Sequence, residues 1–437
     1  MTNPVSRVFA LAPQILTSSL FRAAGTYGFF SLINSAIPFF LLPVMTRYLT
    51  PDDYGIVAVF GVMVSLFMPF IGMNAHGAYS RAYFAPDRFD SAKYMGTVIV
   101  FSLATWVVAC AIFGIFRTPL SALFTFPSEW MWAVPVVALG TLLPQIVQVS
   151  WQVREQPRSY GIFQNARTLS EVGGALLFVV LLGMGWQGRV LSRVFVSVLF
   201  ACAGLYILVR KQWLVFSFDK TYLSHALCFG IPLIPHTLAG ILNTSIDRLF
   251  ITRMVGIADT GLYTVGYQIG TVIGLAATAF NQAYVPWLFR KLNMNSEQEK
   301  IKIVKFTYLY FFVIISAAII LGALAPFLMR VLVGVQFQGS SMYVVWIALG
   351  YAFSGAYYMV VNYIFYIEKT HLLAMVTFMG AIINIFFNYF FIRWNGAVGA
   401  AQATSLMHLL TFLFVWYLSS KVYPMPWRHA LERSTNS

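Results

Sequence analysis

The chain has 437 residues, of which 59% are hydrophobic, 17% aromatic and only 10% charged, and its formal net charge is +14. A soluble domain carries roughly a quarter charged residues, so this one lacks the polar surface to cover a water-facing body. Its mean hydropathy of +0.75 places most of it in lipid, with length for about twelve membrane spans at roughly 20 residues each plus short loops, and none left for a separate soluble domain.

In chain order, residues 1–21 lack the charged, apolar and small-residue sequence of a cleaved signal, and Pro13 interrupts their apolar run; they read as a short interfacial helix. The first span, 24–46, holds Pro38 and Pro43 and a polar face of Tyr27, Ser31 and Asn34, with Arg22 at its start and Arg47 at its end. Thr50-Pro51-Asp52-Asp53 has the order of a helix start: a cap, a proline in the first turn, then acids on the positive end of the dipole. That reading outweighs a paired-carboxylate site. The second span covers 55–75, with Arg81 in the loop that follows; the third and fourth cover 95–116 and 131–151. Glu171 lies early in the fifth span (168–186) and Arg193 early in the sixth (190–209), each able to snorkel to the interface instead of facing a cavity.

The seventh span, 226–251, contains Pro232 and Pro235 and a stripe of His236, Gly240, Asn243 and Asp247 within about 60° of one another. Asp247 and Arg248 point about 100° apart on a helix, so they need not neutralise one another. Gln268, Thr271, Thr278 and Gln282 share a face of the eighth span (260–284), and Tyr351, Ser354, Tyr358 and Asn362 share one of the tenth (341–367). The ninth, eleventh and twelfth spans are 306–326, 372–392 and 397–419. Ionisable groups inside a bilayer are costly, which makes Asp247, Arg248, Glu171 and Arg193 the default functional candidates. The polar stripes suit a wet cavity that hydrogen-bonds sugars, and equally suit helix-to-helix contacts.

Sorting the 28 Lys and Arg by alternate sides places twenty on one side, Arg22, Arg81 and Arg167 among them, and six on the other: Arg47, Arg117, Arg189, Arg253, Arg330 and Arg393. Arg193 and Arg248 fall within helices. This asymmetry puts both termini in the cytoplasm and explains the basic balance without nucleic acid. Cys110, Cys202 and Cys228 lie in apolar stretches with neither pairing nor metal spacing. There is no phosphate-binding glycine loop, no HExxH and no Cys/His cluster, and every outer loop is too short for a catalytic domain.

A shift of 206 residues aligns Thr46-Arg47 with Thr252-Arg253, Asp53 with Asp259, Gly55 with Gly261 and Val59 with Val265; a shift of 208 aligns Trp186, Gly188 and Val190 with Trp394, Gly396 and Val398. The chain therefore divides into two six-helix halves, 1–210 and 222–420, with a cytoplasmic tail at 421–437. An even number of spans per half makes the repeats parallel, and transporters so built bind substrate between halves. The prolines of the first and seventh spans each remove a backbone hydrogen bond and permit a bend.

Several segments carry a family resemblance: Gly25 to Val59 with Pro43, Arg47 and Asp53-Tyr54-Gly55; Gly77-Ala78-Tyr79-Ser80-Arg81-Ala82-Tyr83-Phe84; Ile231-Pro232-Leu233-Ile234-Pro235 with Asp247-Arg248 and Gly261-Leu262-Tyr263; and Asn384 to Gly399. On these the chain resembles bacterial polysaccharide flippases of the O-antigen and capsule type, in the multidrug/oligosaccharidyl-lipid/polysaccharide exporter superfamily. The resemblance implies an all-α polytopic fold with a V-shaped pair of lobes around a central cavity in the inner membrane. It implies turnover of undecaprenyl-diphosphate-linked oligosaccharide, with a polysaccharide polymerase and ligase as partners, and no cofactor. It assigns the anionic head group to Arg248 first, then to Arg22, Arg47 and Arg81. Asn243, His236, Gln268, Asn362 and Tyr358 join them as polar contacts, and Asp247 or Glu171 would couple H+ or Na+ unless the membrane potential drives transport. A cation-coupled multidrug exporter of the same superfamily is the alternative, disfavoured because cationic drugs call for a carboxylate-rich cavity; a membrane polymerase or ligase lacks its long outer loop.

Overall fold

The computed structural model describes residues 19–427 apart from 295 and 370. The interfacial helix expected before the first span and the tail beyond residue 427 lie outside the described residues. Those described are all-helical, with no strand among them: α1 (Ser19–Tyr48), α2 (Pro51–Phe67), α3 (Ala75–Tyr83), α4 (Ser91–Ile115), α5 (Arg117–Phe124), α6 (Ala133–Val153), α7 (Pro157–Ala175), α8 (Gly185–Arg210), α9 (Lys220–Met254), α10 (Ile257–Asn293), α11 (Glu297–Leu332), α12 (Ser341–Tyr366) and α13 (His371–Val422).

Nine stretches among the described residues are long and apolar enough to cross a membrane. Three further crossings complete the expected twelve. α13 loses helical geometry at Asn395 and Gly396, the glycine at φ 60°, and so supplies two crossings rather than one. α7 continues through a π-helical turn, Leu176–Leu181, to crossing length, and α10, with 37 residues, is long enough to cross. The expected second span breaks early, because Gly72, Met73 and Asn74 all take positive φ and redirect the chain into α3.

Helix starts follow local chemistry. Thr50 and Asp53 cap each other's backbone, Asp53 N donating to Thr50 Oγ1 at 3.1 Å and Thr50 N to Asp53 Oδ2 at 2.9 Å, so these acids are structural. Asp90 caps α4 and Asp219 caps α9 through Oδ1. Inside the helices, hydroxyls such as those of Ser102, Ser150 and Thr307 donate to the carbonyl four residues back, so these donors are satisfied within their own helix.

The chain packs as two compact units. One takes the described residues of Met1–Leu41 together with Met63–Pro235; the other takes Leu42–Val62 and His236–Ser437 as far as described. This division by packing differs from the repeat division of the sequence, since α1 passes from the first unit to the second after Leu41, between Pro38 and Pro43, and α9 passes after Pro235. In the first unit, Arg154 is clasped by the Tyr79 to Tyr83 segment: its guanidinium lies 4.0 Å from the Trp213 ring centroid and 4.7 Å from that of Tyr83, and Nη1 donates to the Tyr79 hydroxyl at 3.1 Å.

In the second unit the repeat becomes a physical contact. A Cβ on Gly55 would fall on the Ile257 carbonyl, its carbon at 2.9 Å, and a Cβ on Gly261 would fall on the Pro51 carbonyl, its carbon at 2.8 Å. Residues 51 and 257, like 55 and 261, are 206 apart, so the starts of α2 and α10 approach reciprocally about a local two-fold. Only glycine on both sides permits it, and close backbone approach is what favours helix association in lipid. Thr46 extends the contact, accepting from Gly334 N at 3.1 Å, and Tyr54 packs edge-on against Phe337 at 5.3 Å.

Candidate functional site

The strongest concentration of buried charge lies in the second unit, where α9, α10, α12 and the last arm of α13 meet. Asp247 is 3% exposed. Tyr263, one turn before Tyr267 on α10, donates its hydroxyl to Asp247 Oδ2, while Asp247 Oδ1 accepts from Arg248 N at 2.8 Å and faces Arg248 Nη1 at 3.3 Å. The same Nη1 donates to the Thr244 carbonyl at 2.8 Å, and the guanidinium carbon stands 4.4 Å from the Tyr267 ring centroid. Tyr267 and Tyr351 share a hydroxyl contact of 2.8 Å, and the Tyr351 ring stacks on that of His408 at 6.2 Å.

Adjacent acid and base need not neutralise one another on a helix; here the long arginine stem folds back, and the two form one ion pair. Among the described residues the Arg248 bonds run through Nη1, so Nε and Nη2 take no protein partner, and the arginine side chain keeps 13% of its surface open. The arrangement is a planar, permanently charged donor pair aimed by its neighbours, the geometry a phosphate oxygen pair accepts.

A second cluster occupies the first unit. Arg167 was expected on the cytoplasmic side; α7 instead begins at Pro157, which places residue 167 well inside a crossing helix. Its Nε stands 3.4 Å from Glu171 Oε1, one turn on, and Nη2 donates to Thr141 Oγ1 at 3.1 Å. Thr168 bonds Asn34 of α1, and the Glu171 carbonyl accepts from Ser192 Oγ at 3.2 Å and Arg189 Nη1 at 3.3 Å. The inventory within the membrane helices is therefore two acids and three arginines, with each acid beside an arginine.

The remaining candidates separate. Asn243 and Tyr358 line a cavity of about 170 Å³ with Ser354, Tyr357, His408 and Thr411. Asn362 is buried in a helix-to-helix lock, donating to Asn281 Oδ1 at 2.9 Å and to the Tyr358 carbonyl at 2.7 Å. Gln268 is half-buried on α10, and His236 and Arg47 are exposed. Arg81 belongs to the first unit, its guanidinium 5.8 Å from the Phe229 ring. Arg22 lies on α1, its side chain outside the described residues. Tyr267 and His408 carry no signal in the sequence beyond the one-turn spacing of Tyr267 from Tyr263, which lies in the resembling Gly261-Leu262-Tyr263 segment.

A model of the polysaccharide biosynthesis protein family matches residues 21–292. The chain is 24% identical over 415 residues to "Lsg locus putative protein 1" of Haemophilus influenzae, covering 90% of this chain and 98% of that one. It is 24% identical over 258 residues to the succinoglycan biosynthesis transport protein ExoT of Rhizobium meliloti, covering 58% and 49%. Among solved structures, the lipid II flippase MurJ in its inward closed conformation superposes with a TM-score of 0.75 at 14% identity, over 94% of this chain and 90% of that one. A MATE multidrug transporter of the MOP superfamily in an inward-facing conformation superposes at 0.66 and 12% identity, over 93% and 96%. At these identities the structural likeness establishes a shared fold.

Proposed function

The chain belongs to the polysaccharide biosynthesis protein family, and from that premise we propose that it is a flippase moving polyprenyl-diphosphate-linked oligosaccharide from the cytoplasmic to the outer leaflet of a bacterial inner membrane. Its relatives' names support transport: one is called a succinoglycan transport protein, and one structural neighbour a lipid II flippase. Transport of this kind makes and breaks no covalent bond. The observation that carries the reading is Arg248, steadied by Asp247, Thr244 and Tyr267 with Nε and Nη2 open. A diphosphate offers paired oxygens to that fork, and the low-dielectric surroundings strengthen the contact relative to water.

The neutral surfaces of Asn243, Ser354, Tyr358 and His408 suit hydroxyl-rich groups beyond the phosphates. The prolines of α1 and α9 permit bending in two of the helices that both units share. A coupling H+ or Na+ would compete with an arginine at Asp247 or Glu171; drive by membrane potential needs neither. Both termini are assigned to the cytoplasm by the basic asymmetry, and a polymerase and ligase would act on the product. The multidrug alternative is weakened by the arginine beside each intramembrane acid, which leaves no bare carboxylate for a cationic drug.

Export of surface polysaccharide in a deletion strain complemented with Arg248→Ala or Arg248→Lys tests the assignment. We expect both to insert normally, alanine to abolish export and lysine to restore a minor fraction. Full export by the alanine variant removes Arg248 from the site.

A further inference from the structure

The last helix, α13, folds back at Asn395 and Gly396, and its two arms enclose a lateral groove. Val376, Met379, Ile383, Met407, Leu410 and Phe414 give that groove largely apolar walls, interrupted by Thr411, around a volume of about 310 Å³. Met379, Leu410 and Phe414 are exposed on its outer rim, where a membrane helix meets lipid. Behind it lies the 170 Å³ polar cavity of Asn243 and His408, and the two spaces share Val376, Gly380, Met407 and Thr411.

The shared wall is thin. Gly380 has no side chain, and its nearest neighbours, Met407 Sδ and Thr411 Oγ1, both stand 3.9 Å from where a Cβ would be. On the polar side, Asn243 Oδ1 is buried without a partner among the described residues. His408 then stacks on Tyr351, Tyr351 meets the Tyr267 hydroxyl, and Tyr267 lies under the Arg248 guanidinium. A line of contacting side chains therefore runs, inside one unit, from the lipid-facing hydrocarbon surface past a neutral hydrogen-bonding pocket to a fixed cation. That order of chemistries is the order found along a lipid whose hydrocarbon tail ends in a polar, anionic head.

We propose that the groove between the two arms of α13 holds the head-proximal hydrocarbon of the polyprenyl carrier, with the polar group it bears entering the Asn243–His408 cavity past Gly380. The inference rests on the flippase reading and names the part of the substrate that this surface takes. At the roughly 30 Å³ occupied by a water-sized group, the groove holds about ten carbons, the first isoprene units rather than the whole tail. Ordered hydrocarbon gains little from leaving bilayer lipid, so the groove acts by shape, favouring a branched chain over straight acyl chains through packing.

The test uses the full chain in lipid nanodiscs and a polyprenyl diphosphate carrying a photoreactive diazirine on its first isoprene unit. Saturable labelling is expected within 376–383 and 407–414, displaced by unlabelled polyprenyl diphosphate and not by phosphatidylglycerol. Gly380→Leu should cut that labelling at least fivefold, while Gly380→Ala, whose methyl fits at ordinary contact distance, retains it. Displacement by phosphatidylglycerol to the same degree would make the groove a seat of ordinary bilayer lipid and overturn the proposal. Saturable polyprenyl labelling confined to other helices would overturn it while leaving the flippase reading intact. Absence of saturable labelling anywhere would overturn both.

Discussion

Replacing Gly55 or Gly261 by alanine places a methyl against a backbone carbonyl of the repeat-related helix start. For Gly261→Ala the carbonyl carbon of Pro51 stands 2.8 Å from the new atom, against 3.4 Å for ordinary contact, so the helices must part by roughly 0.6 Å for the carbon alone and by more for its oxygen. Neither atom is the free end of a side chain, so the strain cannot be relieved by a rotamer change. Overpacking of this kind costs about 1–3 kcal/mol, and alanine's better helix propensity returns about 1 kcal/mol, leaving roughly 2 kcal/mol lost for either substitution at the upper end. Because one displacement accommodates both methyls, the double variant should lose about 2–3 kcal/mol rather than the sum near 4. Unfolding of the purified protein in detergent, followed by SDS titration, reads these differences; Gly173→Ala, whose Cβ meets nothing within 4 Å, is the control and should be neutral or stabilising. Strict additivity, or single variants no worse than the control, would refute the reciprocal contact.

Asp247→Asn leaves Arg248 partly buried beside a neutral amide and is expected to cost about 3 kcal/mol, whereas Asp247→Asn with Arg248→Met should recover most of that stability and none of the transport. Unfolding and export measured on the same pair of variants separate the two effects. Arg154→Lys gives up the planar stack between Trp213 and Tyr83 and the bond to Tyr79, a loss of about 1 kcal/mol visible as a lowered melting temperature with insertion unchanged. His76, on α3 outside the crossing helices, is pushed down by burial to about 4 from its ordinary 6.5. The unfolded chain then binds a proton that the folded one refuses, so stability is fully present above pH 6.5 and falls as pH drops toward 4. A melting curve against pH should be flatter over that window for His76→Phe than for the parent.

Length and hydropathy reveal the number of crossings because each span must satisfy its own backbone, and only a helix does so in lipid. The 206-residue repeat is legible for a harder reason: Gly55 and Gly261 sit where two backbones touch, so any side chain at either position forces them apart. The cap at Thr50 and Asp53 is equally local and equally readable. Arg167 escapes notice because an apolar window begins at residue 168, while the helix that carries it starts eleven residues earlier on Pro157 and neutralises its charge one turn on at Glu171. Tyr263 and Tyr267 look like core packing until their partners, Asp247 and Arg248, arrive from another helix. The α13 groove has no signature at all in one dimension, since its walls come from two arms related only by the fold at Gly396.

The decisive measurement is the leaflet on which the lipid-linked repeat unit accumulates when the protein is deleted from its host. Accumulation on the cytoplasmic leaflet with loss of surface polymer is expected, reversed by the parent chain and not by Arg248→Ala. Single repeat units reaching the outer leaflet normally in the deletion strain would contradict it.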